Sequence, residues 1–110
     1  MSFMDRPADL DLGDGHLLWW TVWKPDRSCN PQYVDLPDVD PFGAIISHST
    51  PAGVECWSGV HFKSEAQARV FGGHPSWDLV SKDPLTLTPS LLCRLCGDHG
   101  FITAGKWVRA

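Results

Sequence analysis

Leu91-Leu92-Cys93-Arg94-Leu95-Cys96-Gly97-Asp98-His99-Gly100-Phe101 is the stretch on which the reading of this chain turns. A Cys-x2-Cys spacing lets two thiolates reach one ion from a tight turn. The Gly after the second Cys lets the backbone fold back, so that amides point at sulfur and orient it. His99, three residues beyond Cys96, is placed to add an imidazole nitrogen. Sulfur and nitrogen donors around a tetrahedral ion suit Zn2+, and metal binding keeps the thiols deprotonated at neutral pH. Cys93, Cys96 and His99 are therefore the expected ligands. The fourth falls to Cys56, which sits on an expected strand and completes a Cys3His set. His48 and His61, at the ends of the same expected hairpin, are the alternatives. Cys29 lies in an irregular segment and suits the role less.

Working outward, Phe101-Ile102-Thr103 and Lys106-Trp107-Val108, joined around Ala104-Gly105, read as a closing hairpin after the zinc knuckle. Upstream, Trp77–Val80 and Leu85–Thr88 are strand-like. Ser64-Glu65-Ala66-Gln67 fits a capping box, and Gly72-Gly73 stops the short helix that follows it. Residues 43–62 read as a hairpin turning at Ser49–Gly53, and His16–Trp23, aromatic and β-branched, as a strand. Adjacent Trp19 and Trp20 face opposite sides of that strand, so each needs its own cover. Residues 24–42 carry four Pro among Asp and Asn; so long an irregular stretch is usually functional or disordered, and its role stays open. The expectation is an α+β fold: a β-rich small domain with one short helix and a C-terminal zinc knuckle followed by a β-hairpin. Residues 1–15 form an acidic N-terminal arm, and residues 16–110 a single zinc-binding domain.

A chain of 110 residues with 43% hydrophobic and 20% charged residues is globular in composition. At this size its core is modest, and a structural zinc, contributing roughly 10–16 kcal/mol to small folds, would matter. Formal net charge is −4. Residues 1–40 hold eight Asp against Arg6, Lys24 and Arg27, while residues 41–110 are close to balanced. No basic stripe is present, which disfavours nonspecific binding to nucleic acid; Arg94, Lys106 and Arg109 make at most a local patch. No apolar run reaches the ~18 residues of a membrane span. Met1–Arg6 lacks a basic region leading into an apolar stretch, so the expected compartment is the cytosol, where disulfides are rare.

Other chemistries fit less well. A redox Cys-x2-Cys sits where a strand feeds a substantial helix, and Gly97 and Gly100 oppose a helix here. Zinc deaminases pair Cys-x2-Cys with an upstream His-x-Glu, and His48 and Glu55 are spaced wrongly for that. Asp9-x-Asp11-x2-Asp14 lacks the calcium-loop spacing and its closing Glu. Neither a phosphate-binding Gly loop nor a nucleophile elbow is present. Cys29 reads as incidental, and His16 and His74 as surface or turn residues.

Pro84 through Ile102, with Gly105-Lys106-Trp107-Val108, resembles a family of small proteins of actinobacterial phages and prophages. That family shares a Pro-Ser-Leu/Ile stretch, a Cys/His knuckle, a Gly-aromatic-Ile step and a closing Gly-x-Trp hairpin. It is similar in turn to a wider bacterial domain of unknown function. The resemblance covers about 25 residues well and residues 43–62 loosely. It implies a phage-encoded accessory protein with a metal site at Cys93, Cys96 and His99, and it implies no reaction. The expected function is non-enzymatic: a zinc-stabilised protein of the host cytosol that binds a host protein. A DNA- or RNA-binding regulator using the knuckle is the alternative, and a zinc hydrolase or deaminase the third.

Overall fold

The computed structural model describes residues 6–50 and 52–110, and among these nine strands, one α-helix and a 3-10 turn (Pro31–Tyr33) build the fold. Strands β1 (Leu10–Gly13), β2 (His16–Trp23), β3 (Val39–Ser49) and β4 (Glu55–His61) form one antiparallel sheet in that order. Helix α1 (Glu65–Phe71) follows. Strands β5 (Asp78–Lys82) and β6 (Leu85–Thr88) pair with each other. Strands β7 (Leu91–Leu92), β8 (His99–Thr103) and β9 (Lys106–Arg109) make a third antiparallel sheet in sequence order. The fold is thus β-rich with one short helix. None of its described helices is long and apolar enough to cross a membrane.

One apolar core joins the three sheets. Leu12, Leu18, Ala44, Ile46, Val60 and Phe62 come from the first sheet and its edge. Leu85 and Leu87 of β6, with Leu91 and Ile102 of the third sheet, pack against them. Each strand contributes alternate residues, because side chains along a strand point to opposite faces. Full burial of a Leu or Ile side chain is worth about 1.5–3 kcal/mol, and Leu18 and Ile102 are wholly buried. Gly43 permits the closest approach in the first sheet: a Cβ there would stand 2.0 Å from the Val60 carbonyl oxygen.

Several local expectations change. Residues 10–13, expected within a loose acidic arm, form β1, because Leu12 is buried in the core; residues 1–5 of that arm lie outside the described residues. Trp20 packs against the main core, while Trp19 is buried with its indole Nε1 donating to the Arg6 carbonyl at 3.0 Å. Both faces of β2 are therefore covered. Ser64 caps α1 by accepting from the Gln67 amide at 3.0 Å. The Gln67 side chain does not return the bond; it is buried and donates to the Phe71 carbonyl instead.

The proline-rich segment is ordered around its own small core. Leu36, Phe42 and Ala66 are buried together, with Trp23, Tyr33 and Phe71 against them. Arg27 lies beneath this loop, donating to the carbonyls of Tyr33 (3.3 Å) and Leu36 (3.2 Å) and pairing with Asp38 at 2.8 Å. A guanidinium with five donors suits a loop whose carbonyls have no strand partner. Outside, Arg69 of α1 ties Asp35 at 2.9 Å.

Candidate metal centre

The first sheet prepares half of the site by register alone. His48 of β3 is directly opposite Cys56 of β4. Directly opposed residues in an antiparallel pair share a face with their Cβ atoms about 5 Å apart, and both are buried on the core side. The other half comes from the turn between β7 and β8. The Gly97 amide donates to the Cys93 carbonyl at 2.7 Å, and the Cys93 amide to the Asp98 carbonyl at 2.8 Å. Gly97, at φ 79°, takes a backbone conformation that glycine adopts without strain. The turn so closed brings Cys93 and Cys96 to the sheet edge.

His48, Cys56, Cys93 and Cys96 offer four donor atoms that all lie within 4.8 Å of one another. Around a tetrahedral zinc with bonds of roughly 2.0–2.3 Å, such donors stand about 3.5–3.8 Å apart. The His48 Nε2 to Cys96 Sγ separation is already 3.1 Å. His48, Cys56 and Cys93 are buried, and Cys96 is exposed. Burial pushes the Cys56 thiol up to about 11, and the neighbouring Cys96 and Cys93 add to the effect. Burial also works to raise Cys93. The backbone amides of Cys96 and Leu95 and the two neighbouring thiols together outweigh it, so Cys93 is held below the ordinary thiol value. One thiolate favoured by amides beside one strongly disfavoured by burial is an arrangement that a divalent cation relieves.

Of the residues expected as ligands, Cys93, Cys96 and Cys56 lie together, and His99 lies apart from them. It opens β8, opposite Leu92, on the outer face, where its Nε2 meets the Ser90 hydroxyl at 2.8 Å. His48 lies with the three thiols instead. His61, the other alternative, packs between Phe42 (ring centroids 5.0 Å apart) and Phe71 (4.8 Å) in the small core. Cys29 is exposed beside Asp26.

Two further residues at the site carried no sequence signal. His16, expected at the surface, is buried, stacked on Trp107 at 4.0 Å and on His48 at 5.1 Å. Its Nδ1 faces the Asp14 carbonyl at 2.8 Å and its Nε2 meets Asp98 Oδ2 at 2.5 Å. The same carboxylate oxygen stands 3.8 Å from His48 Nε2. His16, His48 and Asp98 thus form a second cluster that shares His48 with the first. Behind them is a small cavity of about 90 Å³ bounded by Trp77, Leu91 and Trp107.

No family model, no curated protein and no solved structure matches the chain.

Proposed function

We propose that this protein is a zinc-stabilised, non-enzymatic binding protein whose partner is another protein. The observation that carries this reading is the cluster of His48, Cys56, Cys93 and Cys96, with four donors in mutual reach. Three thiolates and one imidazole are a donor set that suits zinc over the hard cations. Four protein donors fill a tetrahedral shell and leave no position for a metal-bound water, the feature that marks hydrolytic zinc. Such an ion acts by joining the β7–β8 turn to the β3–β4 edge, and so by fixing the surface that the turn presents. The resemblance of the C-terminal third to phage proteins favours a host protein of the cytosol as partner.

Elemental analysis of the purified chain tests the metal: about one zinc per chain is expected. A well-folded wild type without metal would end the reading. Salt-sensitive binding of random DNA would favour the nucleic-acid alternative. A metal that keeps a water in its fourth position would favour a hydrolase.

A further inference from the structure

We infer that the outer face of the third sheet is a docking surface for an acidic, apolar segment of a partner protein. Strand alternation sends Leu91, Gly100, Ile102 and Trp107 inward. Leu92 of β7, Phe101 of β8 and Val108 of β9 therefore share the opposite face. Phe101 and Val108 are direct cross-strand partners. Leu92 is opposite His99, whose ring is 6.3 Å from that of Phe101. The patch is thus continuous across three strands. Exposure is 57% for Leu92, 41% for Phe101 and 48% for Val108. Leu95, at the tip of the Cys93–Cys96 turn, is exposed at 82%. Scattered exposed apolar residues need no explanation, but a contiguous patch rimmed by polar groups marks an interaction site.

Charge decides what fits there. Lys106 lies on the same face, two residues from Val108, and Arg94 flanks Leu95. Neither has an ionic partner among the described residues, whereas Arg109 is already held by Asp14 at 3.4 Å. From residue 85 to the end, the sole acid is Asp98, and its carboxylate is taken by His16. The face is therefore apolar with a cationic rim in a chain of net charge −4. Complementarity of potential selects an acidic partner. Nucleic acid fits less well, since single-strand platforms stack successive bases on several aromatic rings and track phosphates with many cations. Here the Phe101 and His99 rings lie beside Leu92 and Val108, with Lys106 on the face and Arg94 on the adjoining turn, too few cations to track a run of phosphates.

This inference rests on the zinc reading, because the metal holds the turn that carries Leu95, and its test separates the two. The probe is a display library of short random peptides selected on the purified chain, with selected peptides measured by fluorescence anisotropy. Enriched sequences should combine Asp or Glu with Leu, Ile or Phe. Leu95→Ser and Phe101→Ser should each weaken them about tenfold or more. Lys106→Glu should weaken them and flatten the salt dependence. All three side chains point to solvent, so zinc content and circular dichroism should stay at wild-type values and exclude misfolding as the cause. Peptides without acidic bias, or binding indifferent to the three variants, would overturn the assignment. So would an oligo-dT probe bound through Phe101, or a dimer in sedimentation that Leu95→Ser dissolves. A metal-loaded chain that selects nothing removes the docking face and leaves the zinc. A metal-free chain that selects acidic peptides removes the zinc and leaves the face.

Discussion

His16 and Asp98, 82 residues apart in sequence, meet at 2.5 Å between imidazole Nε2 and carboxylate Oδ2. The contact ties the start of β2 to the turn that carries Cys93 and Cys96. The same carboxylate oxygen stands 3.8 Å from His48 Nε2, so His16, a ring outside the four-donor cluster, holds a carboxylate that borders it. Removing one partner of a buried polar pair leaves the other without its bond, at a cost of about 1–3 kcal/mol. Asp98→Ala should lower stability by that amount in a urea titration, and Asp98→Asn by less, since the amide still offers an oxygen. Zinc content should remain near wild type in both, because Asp98 is outside the four-donor set. Loss of the metal in Asp98→Asn would make the carboxylate a ligand.

Substitution of the individual donors separates His48 from His99. Breaking a closed zinc shell removes both a bond and the fold it supports. His48→Ala, Cys56→Ser, Cys93→Ser and Cys96→Ser should each lose most of the zinc and melt early. His99→Ala gives up an exposed contact to Ser90 and the ring beside Phe101, so it should keep its metal and lose at most about 1 kcal/mol. Elemental analysis beside thermal melts reads both quantities. Zinc retained in His48→Ala and lost in His99→Ala would restore the ligand set expected from the knuckle alone.

The Cys-x2-Cys pair was legible because its chemistry is local: two thiols on one turn, closed by Gly97. The hairpin over residues 43–62 was legible from β-branched runs around a turn. His48 was not separable from Cys56 and His61 because the deciding fact is register. His48 and Cys56 are opposite each other, and pairing slipped by one residue would send either to the far face. The placement of His99 apart from the cluster has the same cause, since spacing after Cys96 does not reveal that β8 begins there and turns the ring outward. His16 and Asp98 were invisible because their meeting needs β1, β2 and the C-terminal turn assembled at once. Leu12 shows a similar limit: an acidic composition concealed one buried side chain that makes residues 10–13 a strand.

Thiol reactivity should report the metal and the burial separately. In the loaded protein, Cys29 is exposed and outside the cluster, so iodoacetamide should modify it first, while Cys56, Cys93 and Cys96 are shielded by coordination. In the interval just after chelation at pH 7, before the fold opens, exposed Cys96 should label next. Cys56 should label last, since burial and its two thiol neighbours hold it near 11, so that almost none is thiolate. Mass spectrometry of timed samples resolves the order. Rapid labelling of Cys56 before any loss of secondary structure would mean that β4 does not bury it against β3.

Acid should weaken the small core through His61. Burial against Phe42 and Phe71, followed by the nearby charge of His74, holds His61 below the ordinary imidazole value of 6.5. The unfolded chain therefore takes up this proton at a higher pH than the folded one, and stability falls as pH drops through about 6.5. Above that range the ring is neutral in both states and contributes no slope; below the folded-state value the loss levels off. His61→Gln cannot charge, so its stability should fall less steeply than wild type between pH 7 and 5 while the two curves run parallel at higher pH. Every other titrating group is common to both proteins and cancels in the difference. Urea titrations across that range measure it, and identical slopes would mean that His61 is solvated rather than packed between the two rings.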